Sequence, residues 1–163
     1  MHALRLALAA PILFVAAPVA SAEQPVDPLR FFEGRTEVEG TVKVMFHKAY
    51  KTHSIGNGVI GPDGVLTLVQ LVRDEGKPAH ERRWKVRPAG SGNFSAMMSE
   101  AVGPVTIQRV GADSYRFRYK MKGKLNVEQV LTPMAGGRSA TNIGKVRRMG
   151  VVVATTNGII RKV

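Results

Sequence analysis

Cysteine is absent from all 163 residues. No disulfide can staple the fold and no lipid can be carried on a cysteine at a processing point, so the domain has to stand on its core alone. Acids are scarce as well: 12 Asp and Glu stand against 24 Lys and Arg, a formal net charge of +12. An excess of that size bears on partners and not on fold. Aromatic residues make up only 6 % of the chain, so the places where they gather carry information. Beyond residue 22 no apolar run approaches the ~20 residues that a membrane helix requires. No stretch holds a 3.6-residue period for long either. The body of the chain therefore reads as neither a helical bundle nor a helical membrane anchor.

What is present begins with MHALRLALAAPILFVAAPVASA. One cation, Arg5, precedes an apolar run from Leu6 to Val19, and the stretch ends in Ala20-Ser21-Ala22. These are the features of a cleavable secretory signal with its cut before Glu23. Pro11 and Pro18 interrupt the run and argue against an uncleaved span. The expected division is a signal peptide over 1–22, a tether and helical turn over 23–35, and one β domain over 36–163. Loss of Arg5 with the signal leaves 23 cations against 12 acids, a net +11. For an exported chain without lipid the expected location is the periplasm. The polyanion at hand there is the anionic lipid surface of the envelope, and nucleic acid is not an expected partner.

Asp27 is placed to cap, and Pro28 to open, a short helical turn whose Leu29, Phe31 and Phe32 would plug one end of a domain. From Thr36 the period becomes two. Val38, Val42, Val44 and Phe46 share one face, while Glu37, Glu39, Thr41 and Lys43 share the other. Similar runs recur at 48–60, 65–73, 80–88, 93–101, 104–110, 114–122, 124–132, 139–148 and 150–162. Turn chemistry separates them, as in Gly61-Pro62-Asp63-Gly64 and Pro88 through Gly92. Eight to ten short, evenly spaced antiparallel strands predict an all-β fold. A single up-and-down β-barrel is preferred to a sandwich because closure leaves no exposed edge.

The segments DPLRFFEGRTEVEG, DEGKPAHERRWKVRPAG, SYRFRYKMKGK and TNIGKVRRMGVVVATTNGIIRK together resemble an uncharacterised, lipocalin-like domain-of-unknown-function family of proteobacterial envelope proteins. The resemblance spans nearly all of the chain after residue 22 and implies a small barrel of calycin type. It brings no catalytic residues with it. Many members look like lipoproteins, and this chain departs from them in lacking the cysteine.

The clearest alternation sets Tyr115, Phe117, Tyr119 and Met121 against Arg116, Arg118, Lys120 and Lys122. A second strand sets Trp84 and Val86 against Arg83, Lys85 and Arg87. With Phe46 from the first strand, the aromatic row (Phe46, Trp84, Tyr115, Phe117, Tyr119 and Met121) forms the candidate ligand-binding set for a hydrophobic small molecule or lipid. The same side chains would equally fill a small barrel, and sequence does not measure a void. Arg116, Arg118, Lys120 and Lys122 form a candidate wall against an anionic membrane. Gly56 through Gly61 fits G-x-G-x-x-G, but a turn and another strand follow where a dinucleotide site needs a helix, so the glycines read as a bulge and turn and no cofactor is expected. His47, His53 and His80 have no zinc spacing, and no metal is expected. No nucleophile signature is present, so no catalytic residue is assigned. Glu100 and Glu128 read as isolated strand acids; Glu128 turned inward beside Tyr115 or Tyr119 would serve as a general acid or base or as a head-group partner, and the preferred reading turns it outward opposite a cation. The leading expectation is a periplasmic carrier of a lipid or fatty-acyl-like molecule. The alternatives are a barrel enzyme that isomerises or cyclises such a molecule, and a structural envelope protein without ligand.

Overall fold

In a computed structural model that describes residues 27–163, a short helix leads into ten strands. The expected signal peptide over 1–22 and the start of the tether lie outside the described residues. Helix α1 (Pro28–Phe32) opens as its residues dictate, with Asp27 accepting a hydrogen bond from the Leu29 backbone N–H at 2.9 Å. The strands follow in chain order: β1 (Gly34–Val44), β2 (Tyr50–Ile60), β3 (Leu66–Asp74), β4 (His80–Gly90), β5 (Asn93–Met98), β6 (Val105–Val110), β7 (Ser114–Met121), β8 (Leu125–Pro133), β9 (Ser139–Arg148) and β10 (Val151–Lys162).

Every strand pairs antiparallel with its sequence neighbours, and β10 returns to β1 with Val38 opposite Ile160 and Val44 opposite Ala154, which closes the barrel. The all-β, up-and-down barrel read from the alternation is the fold observed, at the upper end of the expected strand number. Among the described residues closure leaves no unpaired edge to recruit another chain.

Because the path is up and down, α1 and five of the hairpin turns fall at opposite ends. We call the α1 end the floor and the other the mouth, where the β1–β2, β3–β4, β5–β6, β7–β8 and β9–β10 turns lie. The floor is the packed end. Leu29 joins Leu66, Val105, Ile107 and Tyr115 in one buried cluster. Phe31 joins Leu131, Ala140 and Ile160 in a second, with Phe32 edge-on to Phe31 at 5.1 Å.

The G-x-G-x-x-G stretch has a packing explanation. β2 keeps unbroken register through Gly56 and Gly58 on both sides, opposite Thr36 and Gly34 on β1 and Gln70 and Leu68 on β3, so the expected bulge is absent. These glycines face inward. A Cβ on Gly56 would meet Leu68 Cδ1 and Thr36 Oγ1 at 3.0 Å, and one on Gly58 would strike the backbone oxygen of Phe32. Glycine at 58 is what lets the helical plug seat. Gly58→Ala is therefore expected to cost about 1–3 kcal/mol, the range for overpacking, and urea unfolding will read it; an unchanged midpoint would mean that α1 does not press on β2.

Candidate functional site

Above the floor the interior is not filled. A cavity of about 530 Å³ runs from Leu29 and Phe32 at the bottom to His80 and Lys77 at the mouth. That volume lies within the range of small-molecule pockets, roughly 300–1,000 Å³. Of the aromatic row, Trp84, Phe117, Tyr119 and Met121 line this space, while Tyr115 fills the core beneath it.

Trp84 organises the wall. Its ring lies edge-on to Phe117 at 6.4 Å and to Tyr119 at 6.3 Å, joining β4 to β7 across the interior. An indole N–H can only donate, and Trp84 Nε1 donates to Gln70 Oε1 at 2.9 Å. Burial pushes the Tyr119 hydroxyl up to about 12, Arg82 opposing and Glu100 reinforcing the shift, so it is neutral at ordinary pH. It donates to Gln129 Oε1 at 3.3 Å. Both glutamine side chains are on the cavity wall with their oxygens taken, which leaves the NH₂ ends as donors for a guest. The Thr156 hydroxyl is buried on the same wall without a partner among the described residues.

Toward the mouth the lining becomes charged. Glu100 Oε2 accepts from Arg82 Nε at 2.8 Å, and its Oε1 lies 2.8 Å from His80 Nε2. The Arg82 and Glu100 side chains keep 29 % and 23 % of their exposure, so solvent screens the pair only in part. Beside them Lys77 donates to the Tyr50 hydroxyl at 2.9 Å and lies 3.4 Å from Asp74. The Tyr50 hydrogen bond raises the Lys77 ammonium above its usual range, with burial opposing the shift and the Asp74 charge reinforcing it. The cavity thus has an apolar depth and a polar, partly cationic entrance.

Of the six side chains expected to hold a ligand, Trp84, Phe117, Tyr119 and Met121 come together on this wall. Tyr115 lies beneath it, packed in the floor against Phe94 at 5.9 Å. Phe46 is a correction: β1 ends at Val44, the chain reverses through a His47 N–H to Val44 oxygen hydrogen bond, and Phe46 is 96 % exposed on the turn. The period of two that assigned it inward stops two residues before it. Of the β7 cations, Arg118 lies 2.9 Å and Arg116 4.0 Å from the outward Glu128 carboxylate, whose hydrogen bond from Arg118 holds it below the usual range. Two of the four wall cations therefore share one acid, and Lys120 and Lys122 lie beyond them toward the mouth.

The charged entrance was not assigned from sequence, although the signal was there. The alternation that turns Trp84 and Val86 inward, carried back two and four residues, turns Arg82 and His80 inward too. The same step along Leu66, Leu68 and Val72 reaches Gln70.

Scanned against protein-family models the chain matches none, and no curated protein matches it. Among solved structures it is similar to the S-type phycobiliprotein lyase CPES from Guillardia theta, with a TM-score of 0.61 and 8 % sequence identity over 83 % of this chain and 90 % of that one. At that identity the likeness concerns the fold, a lipocalin-like barrel.

Proposed function

We propose that the barrel binds a small hydrophobic molecule with a polar or acidic head, its apolar body against Trp84 and Phe117 and its head at the Arg82 entrance. The observation that carries this reading is the 530 Å³ cavity with apolar depth and charged mouth. An acyl chain suits the depth, because burial of apolar surface drives its entry at roughly 25 cal/mol per Å². An acid head suits the mouth, because a guanidinium has five donors and the Glu100 contacts leave others to offer. In its finer form the reading is a periplasmic carrier of lipid or fatty acid, belonging with the lipocalin-like envelope proteins that its segments resemble. The support for export is the composition of residues 1–22.

Trp84 is the chain's single tryptophan and lines the cavity, so its emission reports on a guest. Titration with palmitate is expected to shift that emission saturably at one site per chain. An unmoved spectrum together with a ligand-free mass for protein purified from its native envelope would end the reading.

One observation favours a second reading, an enzyme that isomerises or cyclises such a guest. His80 Nε2 lies 2.8 Å from the Glu100 carboxylate on the cavity lining, which sets an imidazole beside an acid there, and the barrel with the same fold is named as a lyase. A guest recovered chemically unchanged after prolonged incubation would remove this alternative.

A further inference from the structure

We propose that the mouth of the barrel is a membrane-docking face, with Phe46 and Met149 entering the headgroup layer of an anionic leaflet and the surrounding lysines and arginines resting on lipid phosphates. The proposal goes beyond cargo binding and stands whether or not the cavity is occupied.

The topology makes the face. Strands β7, β8, β9, β10, β1 and β2 are consecutive around the barrel, so the β7–β8, β9–β10 and β1–β2 turns lie side by side at the mouth. The segments 43–51, 120–126 and 145–152 contain nine lysines and arginines and no aspartate or glutamate. Among the described residues, none of these nine takes part in an ion pair. The rest of the rim is different: the β3–β4 side carries Asp74, Glu75, Glu81 and Glu100, and there cations and acids pair. One sector of the mouth is thus strongly positive, bordered by Glu128, opposite Lys145 in register, and by Glu75, which accepts from the Lys51 backbone N–H.

Apolar side chains project from the same sector. Phe46 is 96 % and Met149 88 % exposed, and both sit at left-handed backbone positions, φ 62° and 49°. Such positions favour glycine or asparagine, and a bulky side chain there is uncommon. Here it holds phenylalanine and methionine out at the tips of two adjacent turns. The Met45 backbone N–H donates to the Val153 oxygen at 2.8 Å, which ties the two turns together. A register shift between Val152 and Ala154 bends β10 at that point, and Met45, Val151 and Val152 add exposed apolar surface beside the tips. Apolar tips ringed by unpaired cations match an interface that is anionic at its surface and apolar beneath it. They do not match an acidic protein, whose surface would give Phe46 and Met149 nothing to enter. The placement also differs from the β7 wall, where Arg118 is hydrogen-bonded to Glu128 and Arg116 lies 4.0 Å from it; Lys120, and Lys122 just past the strand's end, belong to the docking face.

The test is co-sedimentation of the protein with vesicles of phosphatidylcholine alone and of phosphatidylcholine with one-quarter phosphatidylglycerol. Binding to the anionic vesicles, absence from the neutral ones, and release by salt are expected. A cation near an anionic leaflet is worth about fivefold in affinity, so the triple variant Lys120→Gln, Lys122→Gln, Lys124→Gln should bind on the order of 100-fold more weakly. The charge-matched floor variant Arg35→Gln, Arg87→Gln, Arg138→Gln should bind within about twofold of the parent on the same argument. Phe46→Ser with Met149→Ser should weaken binding without altering the melting profile or the Trp84 response to palmitate. Equal losses in the mouth and floor triples would mean that net charge alone holds the protein, and would overturn the proposal. So would an absence of vesicle binding with a concentration-dependent dimer that the Phe46→Ser, Met149→Ser variant abolishes.

Discussion

Trp84→Ala is expected to lower the stability of the barrel by about 3 kcal/mol, the low end of the range for removing a large aromatic side chain from a core. The low end follows from the site. One side of the indole faces the cavity, so truncation enlarges an existing space and forfeits fewer contacts than it would in a filled interior. Two edge-on aromatic contacts, to Phe117 and Tyr119, are lost with the ring, at about 0.5–1.5 kcal/mol each beyond area. The donor to Gln70 is lost as well, but the freed amide can turn to water in the enlarged cavity. Urea unfolding followed by far-ultraviolet circular dichroism, which does not rely on the missing fluorophore, measures the loss. A cost below about 1 kcal/mol would mean that the wall is held by its strands alone and that Trp84 serves the guest, not the fold.

Arg82→Met is expected to weaken binding of palmitate by about 10- to 150-fold while leaving a neutral guest such as the corresponding alcohol nearly unaffected. A hydrogen bond to a charged group contributes about 1.5–3 kcal/mol, and each 1.4 kcal/mol is a factor of ten. Methionine keeps much of the apolar stem and removes the charge, so the comparison isolates the head-group contact. Glu100→Gln moves the same quantity the other way, because it releases Arg82 and His80 from a carboxylate that competes with the guest. Displacement isotherms against a fluorescent acyl probe give all three affinities. If acid and alcohol weaken in parallel in Arg82→Met, the entrance shapes the cavity without reading the head.

The barrel was legible in the sequence because its strands are bounded by turn residues and because alternation is strict where one face meets the interior, as in Tyr115 through Lys122 and in Trp84 with Val86. The helical plug was legible from Asp27 and Pro28, whose roles are local. Phe46 was misplaced because a period of two contains no statement of where it stops; the stop at Val44 depends on pairing with β10, over a hundred residues away. The charged entrance escaped for the opposite reason. Arg82, His80 and Glu100 are residue types assigned outward by default, and only their mutual proximity, across a β4–β5 hairpin and its following turn, makes an inward placement tolerable. Whether aromatic side chains enclose a void or fill it depends on the summed volumes of ten strands, which no local pattern contains.

The seam between β1 and β10 has a consequence for how the chain folds. The Arg161–Glu39 ion pair across it joins residues 122 apart, and every register contact of the closing ladder is similarly remote. Loop closure over such a span must precede any return from the contacts it permits, which places this topology among slow folders. The eight hairpins from β1 through β9 can assemble locally, but the cylinder cannot shut until the final dozen residues have been delivered. Until then β1 and β9 are both open edges, and the species most prone to aggregation is the nearly complete one. Removal of β10 should therefore yield an insoluble chain, not a smaller barrel.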